Sequence, residues 1–181
     1  GEADVVFLTG GINQQFLVGR PGIASRQELA GKKIGTVADG GIGDALVKFV
    51  IAKLAAAGIK GLREVPIAHG AEAELEALLS GKVDAVVGTP PECIDTIRHG
   101  CKYLIDFAEY GLNYALGGIA GRRNYIENNP EITGRFVKAY VEGMHRYRTD
   151  REFTVDVQAD YSGITDRTIA EETYDLTQPG M

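Results

Sequence analysis

The sequence predicts an α/β protein in which short strands of a largely parallel sheet alternate with helices. Two observations favour this class. Short β-branched apolar runs alternate with longer segments in which apolar residues recur at a spacing of about 3.6 residues. Glycine is abundant, with 24 residues, and falls mostly at the ends of the apolar runs. A chain of 181 residues with 44% hydrophobic content can bury a core as one domain or as two smaller lobes.

Charge and composition argue against several classes of protein. The formal net charge of -6 and the isoelectric point near 5.1 disfavour a nucleic-acid surface, which needs clustered Lys and Arg. No apolar run approaches the ~20 residues of a membrane-spanning helix. Cys93 and Cys101 lack the spacing of a metal motif, and the sequence neither requires nor excludes a disulfide between them.

The chain begins with an internal similarity. Residues 1–7 resemble residues 81–87, and a turn of small residues follows each copy. The second copy starts at a glycine that ends a predicted helix and continues as a strand. If the two halves are alike, a strand and a helix precede the first copy, and the chain is a fragment of a longer protein. Chance similarity over so few residues is the alternative.

The element of greatest interest is a strand, a glycine turn and a helix. A strand at residues 33–37 leads into the turn at residues 39–43, and a helix is predicted to open at Asp44. In α/β sheets such a turn binds ligands, because the first N–H groups of the helix are unpaired. The turn lacks the third glycine of a dinucleotide fingerprint and the Gly-Lys-Ser/Thr of a phosphate loop. The turn is therefore a candidate ligand-binding site, but it matches neither the dinucleotide-binding motif nor the phosphate loop.

The remaining elements continue the alternation. An apolar run at residues 15–19 ends in the turn signal of residues 20–22, where a lobe boundary is expected. Further strands are predicted at residues 62–68, 83–87, 102–105 and 115–120, and helices at residues 71–80, 90–98, 152–161 and 166–176. Another helix begins at Asn129 and Pro130. Its apolar stripe, which must pack on something, consists of Ile132, Phe136, Val137, Tyr140, Val141 and Met144.

Signatures of catalysis are weak. The sequence has no nucleophile elbow, and its three histidines have no zinc-ligand spacing. Glu72, Glu74 and Glu76 alternate along a predicted helix and are interpreted as a solvated face. His69 ends a predicted strand and is either an ordinary loop residue or part of a cleft.

The order of several motifs resembles a known family. LAGKKIG at residues 29–35, ALLSGKVDA at residues 77–85, the pair Pro90-Pro91 and the helix start at residues 129–131 follow one another as in solute-binding proteins of ABC importers, of the sulfonate/nitrate/taurine type. That superfamily includes proteins similar to thiamine-pyrimidine synthase. The resemblance covers essentially the whole chain. It implies a periplasmic-binding-protein-like fold with two α/β lobes and the ligand between them.

The resemblance also implies a domain organisation and a function. Lobe one would comprise residues 1–19 and 108–181 and would be incomplete, because family members are longer; lobe two would comprise residues 20–107. The protein would be non-catalytic, without cofactor or metal, and would close on a small polar solute of the sulfonate, nitrate, pyrimidine or amine class. A membrane permease would be its partner, and the full-length protein would be periplasmic or anchored at the cell surface. Self-association through the incomplete lobe is a further expectation.

The candidate ligand-binding residues lie in turns and in the segments joining the two lobes, which this organisation places near the cleft between the lobes. They are Gly10, Gly11, Asp39, Gly40, Gly41, Ile42, Gly43, Asp44, His69, Thr89, Pro90, Tyr110 and Tyr114. Thr89 and Glu92 have the spacing of a capping box, and the prolines between them remove two N–H donors, so the glycine turn is the better donor site. Ligand contacts at the opposite sheet edge, near Lys32 or Lys82, would contradict this assignment.

The glycine turn also bears on the charge of the ligand. Anion-binding members of the family typically have Ser or Thr hydroxyls there, whereas this turn is flanked by Asp39 and Asp44. These carboxylates either cap the helix or oppose an anion. A neutral or cationic nitrogen-containing solute is therefore expected to bind better than a sulfonate or nitrate.

Two other functions remain open. An enzyme of thiamine-pyrimidine biosynthesis with this fold would need a lysine for pyridoxal phosphate and a histidine in the cleft, and the sequence offers no clear pair. A ligand-sensing domain of a receptor or regulator is the third reading. An export signal upstream of the chain would favour the importer, and an attached kinase or DNA-binding segment would favour the sensor.

Overall fold

The computed structural model describes residues 4–11, 14–37, 40–68, 70–112 and 117–177. Three of the candidate binding residues, Asp39, His69 and Tyr114, lie outside these ranges. The chain divides into two compact units. The first, here the helical unit, comprises Gly1–Asn13 and Leu112–Met181; the second, here the sheet unit, comprises Gln14–Gly111.

Strands and helices alternate through the described part of the chain, as the sequence predicts. The strands are β1 (Val5–Phe7), β2 (Phe16–Gly19), β3 (Lys33–Thr36), β4 (Arg63–Pro66), β5 (Ala85–Gly88), β6 (Lys102–Asp106) and β7 (Ala120–Arg122). The α-helices are α1 (Ile42–Ala56), α2 (Ala71–Leu79), α3 (Glu92–Arg98), α4 (Arg123–Asn128), α5 (Pro130–Thr149), α6 (Arg151–Ser162) and α7 (Arg167–Thr177). Short 3₁₀ helices occupy Arg26–Leu29 and Phe107–Tyr110.

The described strands of the sheet unit form one mixed sheet in the order β4-β3-β5-β2-β6. β3 pairs in parallel with β4 and β5, whereas β2 pairs antiparallel with β5 and β6. The carboxyl ends of β3, β4 and β5 therefore share one edge with the start of β2. We call this the upper edge of the sheet.

The lobe boundary expected at residues 20–22 differs from the boundary between the two units. All four residues of β2 are buried, and the strand lies between β5 and β6 inside the sheet. The turn at Arg20 thus ends a strand of the sheet unit, and the division between the units falls before Gln14. That the two units act as closing lobes stays a prediction.

Helix α1 shows why the sequence forms a helix against this sheet. Leu46, Val47, Val50 and Leu54 recur at intervals of one, three and four residues, and each is at most 3% exposed. This stripe faces β3 and β5, both of which α1 contacts. The helix begins at Ile42, two residues earlier than the sequence predicts.

Asp84 connects the lower ends of three strands. The Nε of Arg20, just after β2, donates to its Oδ1 at 2.8 Å, and the Lys33 N–H at the start of β3 donates to its Oδ2 at 2.9 Å. Its own N–H donates to the Lys33 carbonyl at 2.8 Å, and its carbonyl accepts from the Arg20 N–H at 2.9 Å. Burial raises the pKa of Asp84, but the bonds from Arg20 and Lys33 outweigh burial, so the net pKa is lowered.

In the helical unit, β1 pairs antiparallel with β7, and α6 packs on α7 through Val155, Ala170 and Tyr174. The strand expected at residues 115–120 starts only at Ala120, and residues 113–116 lie outside the described ranges. Gly117 and Gly118 have φ values of 71° and 152°, which a regular strand does not accept.

The apolar stripe of α5 is largely uncovered. α5 lies wholly within the described ranges and has no buried residue, and Ile132, Phe136 and Val141 are 48%, 46% and 58% exposed. Self-association through this face stays a prediction. No helix in the described ranges is both long and apolar enough to cross a membrane.

Replacing Asp84 by Asn should destabilise the protein by about 2 kcal/mol, because the charged hydrogen bonds to Arg20 and Lys33 are weakened in a buried position. Urea unfolding of both proteins measures the difference. Asp95→Asn removes a half-exposed carboxylate of the same unit and should cost less than about 0.5 kcal/mol. Equal effects of the two substitutions would contradict a special role for Asp84.

The lowered pKa of Asp84 predicts that the stability of the protein depends on pH. Because the folded-state pKa of Asp84 is lowered, its contribution is fully present above the unfolded-state pKa of about 3.9 and is lost as the pH falls through the folded-state value. The stability difference between the wild type and Asp84→Asn should therefore shrink between about pH 5 and pH 3. A difference that stays constant over this range would refute the assignment.

Candidate functional site

A cavity of ≈ 320 Å³ opens at the upper edge of the sheet. Val37 follows β3, Gly70 precedes α2, and Gly88 ends β5; all three line the cavity. Gln15 lines it as well, because β2 runs antiparallel to β5 and starts at this edge. The cavity therefore occupies the position at which α/β sheets bind ligands.

The structure brings together part of the candidate set. Among the candidates that it describes, the residues lining the cavity are Gly41, Ile42, Gly43 and Thr89. Gly40, Asp44 and Pro90 are their chain neighbours but are not among the lining residues. The tyrosine ring of Tyr110 packs instead on Phe49 of α1, with centroids 5.3 Å apart. Gly10 and Gly11 belong to the helical unit.

The start of α1 offers backbone donors to the cavity. Gly41 is the N-cap and provides no side chain to cap the helix. The first backbone bond of the helix runs from the Ala45 N–H to the Gly41 carbonyl at 3.1 Å. The earlier N–H groups of Ile42 and Gly43 have no acceptor among the described residues, and the helix dipole adds partial positive charge there. Gly40, with φ of 73°, makes the turn that a side chain would strain.

Asp44, next to the lining residues in the chain, makes its side-chain contacts within the sheet unit. The residue is 7% exposed. Its carboxylate accepts a hydrogen bond from Thr36 Oγ1 at 3.2 Å and pairs with Lys48 Nζ at 2.7 Å. The bond from Lys48 lowers the pKa of Asp44 against the opposing effect of burial. Asp44 thus ties the start of α1 to the end of β3, and Lys48 compensates the charge that was expected to oppose an anion.

Two other carboxylates line the cavity. Glu74 comes from the first turn of α2, and Glu92 begins α3, where it accepts a bond from Thr89 Oγ1 at 3.3 Å. Among the described residues that line the cavity, none is Lys or Arg. The described ranges contain no group of three His, Cys, Asp or Glu side chains placed to hold a metal ion.

The charges of Glu92 and Glu74 also influence the pKa of the Cys93 thiol. Burial raises its pKa to about 11, a bond with the Tyr103 hydroxyl lowers it, and the charges of Glu92 and Glu74 raise it. Gly88 lies against Cys93 as well, since a Cβ at Gly88 would come within 3.1 Å of Cys93 Cβ.

Sequence reasoning missed Gln15, Glu74 and Glu92. The direction of β2 decides the place of Gln15, and no local pattern reveals it. Glu74 belongs to an alternating acidic run that is typical of a solvated helix face, and Glu92 has the spacing of a capping residue. The signal that could have found Glu74 and Glu92 is their position, since each lies near the start of the helix that follows a predicted strand.

Comparison with known proteins now identifies the family. A family profile described as NMT1/THI5 like matches residues 12–150. The chain belongs to the NMT1/THI5-like family. This confirms the resemblance seen in the sequence. No curated protein sequence matches the chain.

Solved structures of two sulfonate-binding proteins share the fold of this NMT1/THI5-like chain. The aliphatic sulphonate binding protein SsuA of Escherichia coli has a TM-score of 0.75 at 19% identity, over 98% of this chain and 57% of SsuA. The alkanesulfonate-binding protein SsuA of Xanthomonas axonopodis pv. citri, bound to MOPS, has a TM-score of 0.72 at 18% identity, over 98% of this chain and 61% of that one. The predicted periplasmic-binding-protein-like fold is confirmed.

A third solved structure is an enzyme. The desulfurization enzyme DSZB has a TM-score of 0.69 at 19% identity, over 97% of this chain and 66% of DSZB. The NMT1/THI5-like chain thus spans 57% to 66% of the length of these three structures. At these identities the likeness establishes the fold, and the fold is shared by binding proteins and an enzyme.

The ion pair at the start of α1 yields a prediction. Lys48→Met removes the largest influence that lowers the pKa of Asp44 and leaves the opposing effect of burial. The pKa of the Asp44 carboxyl should therefore rise, as measured by NMR titration of that carboxyl. Lys53→Met, in the last turn of the same helix, should leave the pKa where it is. An unchanged pKa in Lys48→Met would show that the pair does not persist in solution.

Proposed function

We propose that this chain is part of the solute-binding component of an ABC importer, which binds a small polar ligand in the cavity at the upper edge of the sheet. The observation that carries the proposal is the cavity itself. It has the volume of a small-molecule site and combines backbone donors at the start of α1 with a hydroxyl, an amide and apolar side chains. Membership of the NMT1/THI5-like family and the fold of the SsuA proteins support it.

The proposed mechanism is closure of two lobes on the solute. A ligand that contacts both lobes stabilises the closed state by its difference in affinity between the closed and open states. The sheet unit would supply the cavity residues, and the helical unit with the remainder of a full-length protein would supply the opposing surface. A permease would recognise the closed form. The location proposed on the same grounds is the periplasm or the outer face of the cell membrane.

For the ligand we propose a nitrogen-containing solute, neutral or cationic, such as a pyrimidine or an amine. The sequence argument rested on Asp39 and Asp44. Asp39 lies outside the described residues, and Lys48 compensates Asp44. The preference is supported instead by the carboxylates of Glu74 and Glu92, which line the cavity.

A second candidate function is catalysis on the same fold. The observation that favours it is the similar fold of the desulfurization enzyme DSZB. The groups with chemical capacity in the described lining are the Thr89 hydroxyl and the carboxylates of Glu74 and Glu92. Mass spectrometry of a bound solute separates the two functions, because an importer component releases its ligand unchanged whereas an enzyme releases a product.

Blocking the cavity tests the proposed function. Screening by thermal shift against alkanesulfonates, taurine, nitrate, pyrimidines and amines should find a class of solute that raises the melting temperature of the wild type. Gly43→Leu should abolish that rise without unfolding the protein. Gly43 lies in α1 and lines the cavity, and a Cβ atom added at this position would have open space around it.

Gly134→Leu is the matched control, because Gly134 is a helical glycine of α5 with equally open space around its Cβ. This variant should keep the full ligand response. A solute that stabilises Gly43→Leu as much as the wild type binds elsewhere, and would refute this cavity as the site.

A further inference from the structure

Gln15 is a nearly buried amide in the lining of the cavity. The residue is 7% exposed, although Gln side chains are mostly exposed in folded proteins. It lies one residue before β2, at the upper edge of the sheet, and lines the ≈ 320 Å³ of space there. Burying an amide costs free energy unless the amide is hydrogen-bonded. The polar group of Gln15 therefore belongs to the interior of the protein and the cavity, rather than to a solvated surface.

The backbone of Gln15 is fixed by the sheet. Its carbonyl accepts a hydrogen bond from the Phe107 N–H at 3.0 Å, next to the pairing of Phe16 with Asp106. Phe107 is fully buried, and the ring of Phe16 packs on that of Tyr103 with centroids 4.8 Å apart. A binding group on a strand is held more precisely than one on a loop. Gln15 is thus placed to recognise a ligand by direct hydrogen bonds.

An amide has a different hydrogen-bonding capacity from the other side chains in the described lining. It offers two N–H donors and an oxygen with two lone pairs, whereas an ionised carboxylate such as that of Glu92 only accepts. Gln15 also interacts with another group of the protein, and one partner leaves part of this capacity for a ligand. The group that uses a donor and the acceptor of a Gln amide together is one with an adjacent acceptor and donor, as in the pairing of Gln with adenine.

The apolar part of the lining suits the body of such a ligand. Val37, Ile42 and Val87 line the same cavity and provide apolar surface. Small-molecule sites combine an apolar lining with a few placed polar groups that fix the orientation of the ligand. A solute with a small apolar body and one amide-like edge complements both parts of this lining.

We propose that Gln15 determines specificity at this cavity by selecting solutes that carry an adjacent hydrogen-bond donor and acceptor, such as a carboxamide. Its Nε2–H donates to the carbonyl of the solute, and its Oε1 accepts from the N–H of the solute. This inference rests on the proposed function, because it names the ligand class of the same cavity. Among nitrogen-containing solutes, it favours amides over simple amines.

The experiment compares four probes of similar size. Benzamide offers a donor and an acceptor, acetophenone an acceptor alone, benzamidinium donors alone, and benzenesulfonate acceptors alone. Binding to the full chain is measured by calorimetry and thermal shift at neutral pH and fixed ionic strength. The wild type should bind benzamide about 10-fold more tightly than acetophenone, because acetophenone has no N–H for the Oε1 of Gln15.

Variants of Gln15 locate the effect. Gln15→Met keeps the length of the side chain and removes the amide, so it should weaken the binding of benzamide about 10-fold and bind benzamide and acetophenone equally. Gln15→Glu keeps the shape and replaces the donor by an acceptor, so benzamidinium should become the preferred probe. A purely structural role would weaken all probes alike and would not reverse their order. Gln27→Met, at an exposed amide of the same unit, is the matched control and should leave each affinity within about 2-fold.

The outcomes separate this inference from the proposed function. The role assigned to Gln15 is overturned if benzamide binds no more tightly than acetophenone, if none of the probes binds the wild type, or if Gln15→Met and Gln27→Met affect benzamide equally. If Gln15→Met does not fold, the order of the probes in Gln15→Glu decides, and an unchanged order overturns the inference. In each case the cavity stands as the site if Gly43→Leu abolishes the binding of the solute found by thermal shift. The proposed function itself fails only if Gly43→Leu leaves all solute binding intact.

Discussion

The candidate site depends on a carboxylate at the opposite end of the sheet. Asp84 joins the end of β2 and the starts of β3 and β5 with its two carboxylate oxygens and its backbone N–H and carbonyl. β3 and β5 are only four residues long, so fixing their starts also fixes where their upper ends emerge. The bonds of Asp84 and the pairing of these strands together hold Val37, Gly88 and Gln15 around the cavity.

The acidic residues of the sheet unit divide into two kinds. Asp84 and Asp44 are nearly buried, and each has a basic partner and a further hydrogen-bond donor, so their charges hold elements together. Glu74 and Glu92 lie in the first turns of α2 and α3 and line the cavity. Burial of a charge requires pairing, whereas a charge at the rim of a cavity keeps part of its hydration.

The fold could be predicted from the sequence further than the site could. The alternation of strands and helices, the glycine turn and the family motifs identified an α/β, periplasmic-binding-protein-like chain, because these signals are local. The site depends on direction and pairing, which are not local. The antiparallel course of β2 brings Gln15 to the cavity, and the pairing of Asp44 with Lys48 joins residues of one helix that no strand or turn signal connects. In the helical unit, the stripe of α5 was expected to pack, yet Phe136 is 46% exposed.

The ligand class of this chain has to come from its own cavity lining. SsuA proteins and the enzyme DSZB share the backbone arrangement, so the arrangement by itself selects neither a sulfonate nor a reaction. What differs between chains of one fold is the side chains on the turns at the sheet edge, which can change while the strands below them stay fixed. Here those turns place Glu74 and Glu92 in the lining of the cavity, together with the N-terminus of α1. A carboxylate has a full charge and a helix N-terminus about half of one, so side chains at the rim of a cavity can outweigh the backbone that chains of one fold share.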